Sequence, residues 1–88
     1  MMQVAVWDTY VKRDDDKVMH FDILVESKLT DTSAIFNYGK EYLADKKIGT
    51  GPLTMNECQF CHIEQASPEL QKRILEKGYC IIEIKNCD

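Results

Sequence analysis

The chain has 88 residues, is 44% hydrophobic and 30% charged, and carries a net charge of −4. That is the composition of an ordinary globular protein, and its acidic balance gives no basic footprint for nucleic acid. No apolar run approaches the ~18 residues that a membrane-crossing helix needs, so neither nucleic acid nor membrane is an expected partner.

Residues 3–11 predict a strand, with β-branched, aromatic and small side chains from Val4 to Val11. Lys12 to Lys17 is a run of six charged residues and predicts an exposed turn. Residues 18–25 predict a second strand, paired with the first as an antiparallel hairpin. Alternation puts Met19, Phe21, Ile23 and Val25 on a core face and Val18, His20, Asp22 and Leu24 on the other. A register that keeps parity adds Asp8 to His20 and Asp22, and a slip of one residue removes it.

A polar link from Ser27 to Ser33 offers Thr30, Asp31, Thr32 and Ser33 as helix caps. The helix then runs to about Asp45, with Ile35, Phe36, Gly39, Tyr42 and Leu43 on one stripe. Gly39 costs about 1 kcal/mol against alanine in a helix, and close approach to the sheet is the expected return. Lys46 and Lys47 suit the C-terminal end of the helix dipole, and Gly49 ends the pattern. Thr54 to Glu57 matches a capping box and predicts a helical turn leading into Cys58. Residues 59–64 predict a short strand. Ser67-Pro68-Glu69 starts a second helix, whose buried stripe is Leu70, Ile74 and Leu75 and whose C-cap is Gly78. The last strand, Tyr79 to Lys85, is expected to turn Cys80, Ile82 and Ile84 to the core and Tyr79, Ile81, Glu83 and Lys85 outward. The order β-β-α-β-α-β predicts an α+β fold, one domain over residues 1–88, with a single mixed sheet and two main helices packed on it.

The densest group of reactive side chains is Cys58-Gln-Phe-Cys61-His62. As C-x-x-C-H it matches the haem c attachment pattern. The N-terminus, however, has no basic segment, and Asp8 cuts its apolar run short of the about 7–15 residues of a signal peptide. The expected location is cytoplasmic, which argues against covalent haem and for reduced thiols at Cys58, Cys61, Cys80 and Cys87. A thioredoxin-like dithiol opens a helix, whereas here the next helix starts only at Ser67. A zinc or iron site would use Cys58, Cys61 and His62, with His20 the best outside ligand and Cys80 or Cys87 as alternatives. An extended 58–62 segment would set Cys58 and His62 on one face and Cys61 on the other. A thiol enzyme would pair Cys58 or Cys61 with His20 or His62, oriented by Asp8 or Asp22. Against all of these stands plain packing, since free cysteine is among the most buried residue types. The chain has no glycine-rich phosphate loop, no G-x-S-x-G and no H-E-x-x-H.

Four stretches together resemble a known family: Val4-Ala-Val-Trp-Asp-Thr-Tyr-Val11, Val18-Met-His-Phe-Asp22, Tyr38-Gly-Lys-Glu-Tyr-Leu43 and Glu57-Cys-Gln-Phe-Cys-His-Ile-Glu64. They are similar to the small bacterial family labelled domain of unknown function 2024. The resemblance spans nearly the whole chain and implies a small cytoplasmic α+β protein. It brings no activity and no catalytic residues. The three aspartates Asp14 to Asp16 stand where a glycine-containing turn is commoner, and only the turn type departs.

The expected function is therefore a non-catalytic binding or interaction module. The alternatives are a metal-binding protein, zinc or iron, and a thiol-dependent enzyme. A homodimer is also expected. The core is small, the sheet has two edges, and Tyr79 and Ile81 with Val4 and Val6 would form a second apolar face.

Overall fold

The computed structural model describes residues 2–47, 49–50 and 58–87, without the side chain of Cys58. The Thr54–Glu57 capping box and its helical turn lie outside the described residues.

Strand β1 (Gln3–Lys12) and strand β2 (Val18–Glu26) form the expected hairpin. They pair antiparallel with Asp8 directly opposite Asp22 and Tyr10 opposite His20. The turn between them takes Asp16 into the left-handed region at φ 70°. Arg13 N–H closes it on Lys17 C=O at 2.7 Å. Aspartate tolerates that conformation better than most side chains, so the aspartate run serves where glycine would be commoner.

Strand β3 (Cys58–Gln65) pairs with the free side of β1, and strand β4 (Cys80–Lys85) with the free side of β2. The order across the sheet is β3-β1-β2-β4. The α+β class and the element order are as the sequence predicts. The sheet, however, is antiparallel at every pairing rather than mixed. β2 and β3 run the same way, but β1 lies between them.

Helix α1 (Thr32–Lys46) lies on one face. Of the four candidate caps Asp31 is used, its Oδ1 accepting from Ser33 N–H at 3.0 Å. Ile35, Gly39 and Leu43 are buried, and Phe36 and Tyr42 pack beside them. The residue that stops the helix is Lys47 in the left-handed conformation, two positions before Gly49. The core under α1 holds Met19, Phe21, Ile23 and Val25, as alternation predicts, with Ala5, Val11, Tyr79 and Cys87.

Helix α2 (Pro68–Lys77) lies on the other face. Ser67 Oγ caps it through Leu70 N–H at 3.2 Å. Gly78 ends it at φ 91°, with its N–H on Ile74 C=O at 2.6 Å. This left-handed conformation is what favours glycine at Gly78, and a methyl group there would also press on the Tyr38 hydroxyl at 2.9 Å. Below α2 lies a second, smaller core of Val4, Val6, Leu24, Ala66, Ile74 and Cys80.

Two expectations about side-chain direction are corrected. Leu75 is 74% exposed. The stripe that α2 buries is one residue wide per turn, Leu70 to Ile74, and Leu75 lies about 100° round from it. On β4, Ile81 is paired with Ile23, so Tyr79 and Ile81 join the α1 core while Cys80 goes under α2. Ile82 and Ile84 are exposed: Ile82 lies opposite Asp22, outside the Val4, Val6 and Leu24 patch under α2, and Ile84 is the extra residue where the β2–β4 register shifts. The predicted second apolar face is thus split between two cores, with Tyr79, Val4 and Val6 buried and Ile81 half-buried. Among the described residues, no helix is long and apolar enough to cross a membrane.

Candidate metal centre

Beyond the end of α2 the same sheet face continues, and its residues change character. Val4 and Val6 are followed in alternation on β1 by Asp8 and Tyr10, and Leu24 is preceded on β2 by Asp22 and His20. The register therefore gathers Asp8, His20 and Asp22 at one point on the uncovered half, as parity predicts. Their ligand atoms all lie within 4.8 Å of one another. His20 Nε2 is 3.7 Å from Asp8 Oδ1 and 3.6 Å from Asp22 Oδ1.

Those separations are too long for hydrogen bonds. Among the described residues, His20 Nε2 and Asp22 Oδ1 are shielded from solvent and have no hydrogen-bond partner. Leaving such an atom unsatisfied costs about 1–3 kcal/mol. Two ligands each about 2.1 Å from a tetrahedral zinc stand roughly 3.4 Å apart, close to the two measured distances. Asp8 and Asp22 face each other at one register position, and their interaction drives their titrations apart. Burial first, then the neighbouring Asp8, pushes Asp22 up to about 6. The neighbouring Asp22 in turn holds Asp8 below the usual carboxylate range.

Cys61 reaches this group from β3. The β1–β3 register shifts between Val6 and Trp7, which pair with His62 and Phe60, so Cys61 is the extra residue of a β-bulge. The bulge overturns the simple alternation of an extended segment. Cys61 and His62 are not on opposite faces but touch, with Sγ 3.1 Å from His62 Nδ1. Cys61 also lies close enough to Asp8 for each to shift the other's titration. Local desolvation, then the Asp8, Asp22 and Glu64 carboxylates, raise its thiol above the ordinary range.

Of the residues singled out from sequence, Asp8, His20 and Asp22 come together, and Cys61 borders them beside Asp8. His62 sits one step away, its Nε2 3.3 Å from Glu64 Oε2. The Cys58 backbone pairs with Thr9, and its side chain lies outside the described residues. Cys80 and Cys87 are buried in the two cores, so the structure gives neither a place at the site. Two participants carried no signal in the sequence. Tyr10 stacks on His20 with ring centroids 4.2 Å apart and walls one side. Glu64 holds His62.

The model of the family described as domain of unknown function DUF2024 matches residues 2–84. The chain belongs to that family. The family description names no activity. No curated protein matches the chain. Among solved structures it is similar to the NMR structure of protein NE1680 from Nitrosomonas europaea, at 36% identity over 99% of this chain and 100% of that one, with a TM-score of 0.86. The likeness covers the whole sheet and both helices.

Proposed function

We propose that this protein is a small metal-binding module that takes zinc or a similar divalent cation between Asp8, His20 and Asp22, with Cys61 as the fourth donor. The observation that carries the proposal is the spacing of His20 Nε2 from the two carboxylates, 3.6 and 3.7 Å, with no bond between them. A cation there would neutralise the two carboxylates that face each other across the β1–β2 ladder. It would also satisfy the partnerless Nε2 and Oδ1 atoms.

The donor set suits a borderline cation. Two carboxylates and an imidazole serve zinc, manganese or iron, and a thiolate favours zinc among them. This differs from the ligand set that the C-x-x-C-H pattern suggests, in that Asp8 and Asp22 replace Cys58 and His62. His62 and Glu64 are then the neighbours that orient Cys61.

A thiol enzyme is disfavoured by the same surroundings. A nucleophilic cysteine needs its thiolate stabilised, whereas three carboxylates raise the Cys61 thiol. A bound dication reverses that field and deprotonates a coordinating thiol, so metal binding turns the arrangement from unfavourable to favourable.

Calorimetric titration of metal-free, tag-free protein with zinc tests the reading. Wild type is expected to bind one equivalent, and Asp22→Asn to bind more weakly by more than about 100-fold, since changes behind a ligand alone cost 10–100-fold. Equal binding by the two proteins would show that the cation sits elsewhere.

A further inference from the structure

Strand β3 is an edge of the sheet, and from Gln59 to Gln65 its residues are exposed. Its backbone direction is fixed by two hydrogen bonds. Ser27 N–H donates to Gln3 C=O at 2.9 Å, on the β2 side, and Ala66 N–H donates to Met2 C=O at 3.0 Å, on the β3 side. In an antiparallel ladder these alternate. Glu64 and His62, opposite Val4 and Val6, therefore turn their backbone groups inward to β1, and Ile63 between them turns its N–H and C=O to the outer edge. Among the described residues, no strand pairs with that edge.

Ile63 is 47% exposed and Phe60 is 52% exposed, and both flank a groove of about 340 Å³ with Trp7 and Leu29. α1 leaves this part of its face open. An outward, apolar edge is a template for another strand. The chemistry of β3 is also complementary to itself. An antiparallel copy centred on Ile63 sets Ile63 against Ile63 as a hydrogen-bonded pair. It sets His62 against Glu64 and Glu64 against His62 as the close non-bonded pairs. Shifting the centre by one residue to His62 or Glu64 would face inward-turned backbones and set two imidazoles or two carboxylates opposite each other.

We infer that β3 is the surface on which two copies of this chain associate, through an antiparallel β3–β3 pairing centred on Ile63. The bulge at Cys61 limits the paired stretch to Cys61–Gln65, and the two apolar grooves meet across the two-fold axis. The pairing brings Glu64 of the second copy beside His62, next to the cluster of Asp8, His20, Asp22 and Cys61. It rests on the β3 edge alone and holds with or without metal. It also moves the expected dimer surface away from Tyr79, Ile81, Val4 and Val6, which are taken up by the two cores.

Sedimentation at sub-millimolar concentration tests it on three proteins: wild type, Ile63→Asp and Ile84→Asp on the opposite edge. Wild type and Ile84→Asp are expected at twice the 10.2 kDa chain mass, and Ile63→Asp at the chain mass with an unchanged circular dichroism spectrum. A monomeric wild type overturns the inference, and so does a dimer that survives Ile63→Asp. If Ile63→Asp does not fold, amide exchange of the wild type decides. Slow exchange at Ile63 that speeds up on dilution supports the pairing, and fast exchange at every concentration overturns it.

Discussion

Asp8 and Asp22 face each other across the β1–β2 ladder, directly opposite in register. Like charges in that position destabilise a sheet. Here the conflict is eased by His20, whose Nε2 lies within 4 Å of both carboxylates. A divalent cation would resolve it more fully. The first prediction follows from that conflict. In metal-free protein at neutral pH, Asp22→Asn should leave stability unchanged or raise it by up to about 1 kcal/mol, because it removes the like charge. The same variant should lose the thermal shift that zinc gives the wild type. Paired melting curves with and without zinc check both halves.

The second prediction concerns pH. Asp22 titrates at about 6, raised from the ordinary carboxylate value chiefly by burial. A raised folded-state value favours the folded protein while the group is protonated, and that contribution is lost as pH rises through 6. Metal-free wild type should therefore become less stable from pH 5 to pH 7 relative to Asp22→Asn. The difference should be on the order of 1 kcal/mol after discounting for the open side of the pair and for the opposing shift at Asp8. Zinc reverses the sign, because the cation requires the ionised carboxylates. As pH is lowered, its affinity should fall about tenfold per pH unit above 6, where only the Cys61 thiol must lose a proton, and about a hundredfold per unit below 6, where Asp22 must lose one too. Titrations at several pH values decide between the two slopes.

A third prediction addresses Cys61. Bound zinc should shield its thiol, so alkylation of Cys61 should slow at least about tenfold when one equivalent of zinc is present. Peptide mapping by mass spectrometry separates Cys61 from the buried Cys80 and Cys87. An unchanged rate at Cys61 would remove it from the ligand set and leave the other three residues to be judged separately.

The cluster was legible in the sequence where alternation governs. Met19 to Val25 separates by parity into an apolar set and a set holding His20 and Asp22, and the hairpin register brings Asp8 to them. The capping of both helices was legible too, because Asp31, Ser67 and Gly78 act through local chemistry. Cys61 was named from the C-x-x-C-H pattern, but its direction was not legible, since a bulge inserts a residue at a point that no side-chain pattern marks. The faces of β4 were not, because Tyr79 to Ile82 is apolar on both parities and both faces of the sheet carry a helix. Leu75 was misassigned for a similar reason, since it is an apolar residue beside Ile74 on a helix whose buried stripe is narrow.

The fold makes its own prediction. Phe21 is fully buried at the centre of the α1 core and packs on Tyr42. Phe21→Ala should cost about 3–5 kcal/mol. Leu75→Lys, on the exposed side of α2, should stay within about 0.5 kcal/mol of wild type. Urea unfolding of the two variants reads both numbers, and a large loss at Leu75 would mean that α2 is seated differently.

The most direct test of the metal reading is elemental analysis of tag-free protein, exposed to zinc, desalted and compared with the Asp8→Asn, Asp22→Asn double variant. The account predicts close to one equivalent of zinc per wild-type chain with a raised melting temperature, and less than about a tenth of an equivalent in the double variant, since a cation bound to the folded site must stabilise the fold. Less than about a tenth of an equivalent in the wild type, with no thermal shift on added zinc, would contradict it.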